Sequence, residues 1–136
     1  MMARVRATSP RGLTARLVMG VLALSLLLGI PVAEAIVIDG SGRGDRLTGT
    51  SSRDLLRGNQ GNDTLRGKAG EDVLIGGFGS DKLFGDTGND RLEGDSGNDK
   101  LDGADGVDQL EGGTGNDKID GGLGNDRIDG GDGDER

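Results

Sequence analysis

Residues 112–129 read GGTGNDKID-GGLGNDRID, one nine-residue phrase written twice in succession. Residues 76–84, GGFGSDKLF, carry the same fixed positions. Reading outward from these, aliphatic residues fall every ninth position at Leu47, Leu56, Leu65, Leu74, Leu83, Leu92, Leu101, Leu110, Ile119 and Ile128. An Asp stands two residues before each of them, from Asp45 and Asp54 through to Asp126, and a Gly seven before, from Gly40 to Gly121. Ten repeats keep this register without a slip, and a fixed period of this kind is the signature of a repeat architecture. Five repeats replace only the second Gly, with Asn59, Lys68, Asp86, Asp95 or Ala104. The first two repeats also lose the fourth-position Gly, to Arg43 and Ser52.

The local chemistry explains what each unit does. Gly reaches positive φ without penalty and Asn or Asp tolerates it, so the first six positions form a turn. The remaining three, with the aliphatic at their centre, alternate outward-inward-outward as a short strand. Strand and turn repeated at constant length build a solenoid rather than a globule around one core.

Written G-G-x-G-x-D-x-U-x, with U aliphatic, the repeat resembles the calcium-binding nonapeptide of the RTX, or hemolysin-type, family, a pattern recognised among known repeat motifs. The resemblance covers residues 40 to about 135. It implies an all-β fold, a parallel β-roll (β-solenoid) of about ten nine-residue repeats, in which two repeats make one coil and strands stack eighteen residues apart. One sheet would hold Leu47, Leu65, Leu83, Leu101 and Ile119. The other would hold Leu56, Leu74, Leu92, Leu110 and Ile128, facing the first across a thin core.

The stacking carries an electrostatic problem. Aligned Asp residues such as Asp81, Asp99 and Asp117 would lie about 4.8 Å apart, the distance between neighbouring strands. Low hydrophobicity combined with high net charge predicts disorder in the metal-free chain. A hard divalent ion reverses the balance: calcium takes six to eight oxygen ligands in loose geometry, whereas magnesium demands a strict octahedron. The candidate metal ligands are Asp63, Asp72, Asp81, Asp90, Asp99, Asp108, Asp117 and Asp126, with about six to seven Ca2+ ions held between turns two repeats apart. Residues 40–57 read as degenerate capping repeats and 58–136 as the calcium-binding array. Charge divides the same way: residues 36–85 hold seven acids and seven bases, while 86–136 hold sixteen acids and five bases.

Ahead of the array, Arg4, Arg6, Arg11 and Arg16 precede an apolar run from Leu17 to Ile30, then Pro31 and Ala33-Glu34-Ala35. Basic, apolar and A-x-A segments in that order make residues 1–35 a secretory signal peptide, cleaved after Ala35. The apolar run would span about 21 Å as a helix, short of the roughly 30 Å hydrocarbon core, so no stable membrane insertion is expected after cleavage. The mature chain begins with a short segment, 36–39, and is expected to be secreted and extracellular. An N-terminal leader departs from the C-terminal export signal of many RTX proteins.

Composition excludes most alternatives. The mature 101 residues carry 23 acids against 12 bases and 26 Gly, and the chain has no Cys or His. No disulfide framework or thiolate zinc site can form, and the commonest general base is missing. The acidic balance argues against nucleic acid and for cations. All array carboxylates lie on the repeat grid, so no enzyme is expected. Outward positions before the aliphatics run Arg46, Leu55, Thr64, Val73, Lys82, Arg91, Lys100, Gln109, Lys118 and Arg127, which is no Thr ladder for an ice-like surface. Leu55, Val73 and Ile75 face outward together, an apolar patch on which residues 36–38 or a partner would dock. The expected function is a secreted calcium-binding repeat protein that folds on binding Ca2+, structural or interactive in role. The alternative is a detached calcium-binding or secretion module of a larger exported enzyme, toxin or adhesin. End-to-end self-association through a bare C-terminal coil, or a cell-surface partner, completes the expected interactions.

Overall fold

The computed structural model describes residues 35–133, together with the backbone of two segments near the start, β1 (Ala3–Thr8) and β2 (Thr14–Met19), which pair antiparallel. Most of the apolar run expected to serve as a leader, and Ala33-Glu34 of its cleavage site, lie outside the described residues. Among the described residues, no helix is long and apolar enough to cross a membrane.

Eleven strands follow: β3 (Val37–Asp39), β4 (Arg46–Thr48), β5 (Leu55–Gln60), β6 (Thr64–Ala69), β7 (Val73–Phe78), β8 (Lys82–Thr87), β9 (Arg91–Ser96), β10 (Lys100–Asp105), β11 (Gln109–Thr114), β12 (Lys118–Asp120) and β13 (Arg127–Asp132). They alternate between two all-parallel sheets, β4-β6-β8-β10-β12 and β3-β5-β7-β9-β11-β13. Leu65 pairs with Leu83 and Leu74 with Leu92, so every strand stacks on the one eighteen residues away. The fold is a parallel β-roll of about five coils.

Most strands are six residues long, twice the length of the x-U-x unit, because pairing continues into the turn. The register omits the first-position Gly and resumes beyond it, as in Asn59 with Gly77 and Gln60 with Phe78. The second-position residue bends the strand there through a positive φ, 77° at Asn59 and 73° at Asp86. Bonding between coils then carries on into the fourth position, where Gly79 N–H donates to the Ser96 carbonyl at 2.8 Å and Gly97 N–H to Thr114 at 2.8 Å.

The fourth-position Gly answers a packing demand. A side chain at Gly79 would run into the Gly61 carbonyl of the coil beneath, and one at Gly61 into the Arg43 backbone. Arg43 and Ser52 belong to the first coil, so among the described residues no earlier repeat lies against them. Their departure from Gly follows from position in the stack.

Leu47 through Leu110 on the nine-residue grid are buried between the sheets, joined by Ile38. Ile38 stands nine before Leu47, and the residues read as a separate N-terminal segment in fact continue the grid. Val37 pairs with Leu55 in register, Leu55 N–H donates to the Ile36 carbonyl, and Arg57 bridges to Asp39 at 3.0 Å. Residues 37–39 therefore extend the edge of the sheet and do not lie on its outward face over Leu55 and Val73. At the other end the expectation of ten buried aliphatics fails: Ile119 is half-buried and Ile128 is 52% exposed. Among the described residues, no strand stacks beyond β12 to close over Ile128.

Candidate metal centre

Each grid Asp closes its turn with the carboxyl group pointing inward. Asp63, Asp72, Asp81, Asp90, Asp99, Asp108 and Asp117 are at most 3% exposed, while Asp126 is half-buried. Their Oδ1 atoms are all used alike. The N–H of Asp63 donates to Asp81 Oδ1 at 2.7 Å, that of Asp81 to Asp99 at 2.8 Å, and that of Asp99 to Asp117 at 2.8 Å. The second row runs from Asp54 through Asp72, Asp90 and Asp108 to Asp126, at 2.7, 2.8, 2.7 and 3.0 Å.

The other carboxylate oxygen behaves differently. Oδ2 of all seven residues from Asp63 to Asp117 is buried without a hydrogen-bond partner. A methyl group placed on Gly94 would lie 2.5 Å from both Asp99 Oδ2 and the Gly112 carbonyl oxygen. The same measure at Gly112 is 2.5 Å from both Asp117 Oδ2 and the Gly130 carbonyl. Carboxylate and carbonyl thus converge on a space that only the first-position Gly leaves open, once per turn and across turns two repeats apart.

A buried acceptor without a partner costs about 1–3 kcal/mol, and more when charged. Two remedies exist: a proton or a cation. Burial pushes Asp63, Asp72 and Asp90 up to about 6 and Asp99 to about 7; the N–H of the preceding Asp in the row opposes this, and neighbouring carboxylates add to it. Asp81 and Asp108 are raised by burial as well. At neutral pH the cation is the effective remedy. Among the described residues no three acidic side chains converge, so a cation here draws on one or two carboxylates and on main-chain carbonyls. An all-oxygen donor set suits calcium, with loose geometry and bonds of about 2.3–2.6 Å.

The predicted ligand set is thus brought into two rows, on the two turn edges of the roll, with one exception. Asp126 accepts from Asp108, but among the described residues no carbonyl of a later turn faces its Oδ2. Two features escaped the sequence. The fifth-position Asn residues form their own ladder between coils: Asn62 Oδ1 accepts from Ser80 N–H at 2.8 Å and Asn89 from Val107 at 2.9 Å. And Asp45 and Asp54, buried like the rest, have partners for Oδ2. Asp45 Oδ2 accepts from the N–H and hydroxyl of Ser41, and Asp54 Oδ2 from those of Thr50. The signal was a hydroxyl residue four before the Asp, found in these two repeats alone.

A parallel solenoid whose turns present rows of unpartnered carboxylate oxygens is a structural calcium-binding domain. The model of the RTX calcium-binding nonapeptide repeat matches the chain four times, over residues 39–74, 67–101, 75–110 and 102–134, and the protein belongs to that family. No curated protein matches the chain significantly.

Proposed function

We propose that this protein is a secreted, non-catalytic module that folds on binding calcium, with Asp63, Asp72, Asp81, Asp90, Asp99, Asp108 and Asp117 as its carboxylate ligands. The observation that carries this reading is the set of seven buried Oδ2 atoms without a partner. Each is paired with a Gly carbonyl two repeats on, which supports about seven ions, four along one edge and three along the other. Asp126 orients the N–H of Asp108 and serves as a weaker, open-ended ligand. Proteins built of these repeats are typically secreted, and the leader-like residues 1–35 agree with export. Bound calcium supplies the charge that the buried carboxylates lack, and the chain's own contribution is to hold Oδ1 by the preceding Asp N–H so that Oδ2 faces the site.

Circular dichroism with and without calcium, alongside isothermal calorimetry, tests the reading. Calcium should convert the chain from disordered to β-rich with uptake of six to seven ions, and magnesium at equal concentration should not. One ion, or none, overturns it.

A further inference from the structure

The first two turns contain every part of the site but have no orphaned Oδ2. The Gly58 and Gly67 carbonyls stand against Gly40 and Gly49, as Gly76 and Gly85 do against Gly58 and Gly67. What differs is the second position. From the third repeat onward this residue has positive φ, whether Asn59, Lys68, Gly77, Asp86, Asp95, Ala104, Gly113 or Gly122. In the turns of Asp63 to Asp117 no such residue's N–H donates to the Asp Oδ2. Ser41 and Thr50 are not among the residues of positive φ. They keep the N–H on the carboxylate, at 2.5 Å in both cases, and add the hydroxyl at 2.8 Å and 3.0 Å. Thr50 Oγ1 also accepts from Ser52 N–H at 3.2 Å, which commits its own proton to Asp54. A β-branched residue at positive φ is strongly disfavoured, which keeps Thr50 out of the bend, and Ser41, though unbranched, makes the same two bonds to its own Asp.

We infer that the second position decides whether a turn takes a cation, and that Ser41 and Thr50 close the first two sites with their own donors. The first coil, residues 36–57, then satisfies Oδ2 of Asp45 and Asp54 without metal and forms a fixed seat. From it the N–H groups of Asp45 and Asp54 hold Asp63 Oδ1 at 2.6 Å and Asp72 Oδ1 at 2.7 Å, orienting the first two calcium ligands. This inference rests on calcium binding by the later turns, and the test separates the two.

Exchange of the second-position residues changes the count of sites in opposite directions. The double variant Ser41→Gly/Thr50→Gly adopts the bend of Gly77 and releases two Oδ2 atoms, so calorimetry with calcium chloride should register two more ions than the unsubstituted protein. Asn59→Thr should refold the third turn on the pattern of Thr50 and bind one ion fewer. Ser41→Thr/Thr50→Ser should leave the count unchanged. Unaltered counts in both the double Gly variant and Asn59→Thr, with calcium uptake by the unsubstituted protein intact, overturn the inference alone. An unsubstituted protein that takes up no calcium overturns the functional reading beneath it. Should the double Gly variant fail to fold, Asn59→Thr decides: one ion lost supports the inference, none lost refutes it.

Discussion

Replacing Asp99 by Asn exchanges an oxygen for a donor at a place where the fold leaves an acceptor without a partner. Asn Oδ1 continues to accept the N–H of Asp81, which now reaches Asp99 at 2.8 Å. Nδ2 takes the position of the orphaned Oδ2 and is aimed at the Gly112 carbonyl. In the absence of calcium the substitution removes a buried unsatisfied charge, worth about 1–3 kcal/mol, and adds a hydrogen bond of about 1 kcal/mol net. The metal-free fold should therefore gain roughly 3 kcal/mol. In calcium the variant lacks one site, whose linkage is worth about 2.7 kcal/mol at 100 times its Kd and about 4.1 kcal/mol at 1,000 times. The two effects nearly cancel at the lower concentration and leave the variant weaker by about 1 kcal/mol at the higher. Folding followed by far-ultraviolet circular dichroism measures both arms: trimethylamine oxide promotes burial in EDTA, and urea unfolds the calcium form. The Asn variant should need less of the osmolyte to fold, should bind one ion fewer, and should unfold at lower urea in excess calcium. An Asp99→Asn protein that folds less readily than the parent in EDTA and binds the same number of ions would refute the orphaned-oxygen argument.

Acid should substitute in part for calcium. The carboxyl groups of Asp63, Asp72, Asp90 and Asp99 rise from the ordinary 3.8 to about 6 or 7 on folding. Their contribution to the metal-free fold is fully present below pH 3.8 and is lost as pH climbs through 6 to 7. In EDTA the β signal should fall across that window, while at fixed calcium it should rise across it; a flat profile in EDTA contradicts the burial argument. Cleavage after Ala35 would turn the Ile36 N–H, which lies 2.8 Å from Asp54 Oδ1, into an ammonium facing that buried carboxylate. A charge-assisted bond exceeds a neutral one by about 1–2 kcal/mol, so a chain beginning at Ile36 should unfold at higher urea than one retaining Ala35; equal midpoints exclude the ion pair. Finally, among the described residues β13 is the edge strand of its sheet and Ile128 is exposed. Light scattering in excess calcium should detect small end-to-end assemblies that Ile128→Lys disperses, and a monomer throughout would show that the end needs no partner.

The sequence by itself determined whatever recurs. A nine-residue period states the turn, the strand and the inward aliphatic locally, so Leu83 and Asp81 announce their roles ten times over. The eighteen-residue stack, the division into two sheets and the two rows of Asp all follow from that repetition once two repeats make a coil. That repeats one and two depart from the pattern was also legible, in Arg43 and Ser52. What only the tertiary structure decided is where each group finds its partner, because that partner lies eighteen residues away in the next coil. Strands of six residues arise from pairing through the turn, which no single repeat encodes. The split between a satisfied Oδ1 and an orphaned Oδ2 depends on a neighbour's N–H and on a Gly carbonyl two turns on. End effects have the same origin. Ile38 joins the core because Leu56 stacks beside it, and Ile128 is exposed because nothing in the described fold covers it. Asp45 and Asp63 sit at the same place in the repeat. They differ in that Ser41 places two donors on Asp45 Oδ2, whereas beside Asn59, bent through positive φ, Asp63 Oδ2 has no partner.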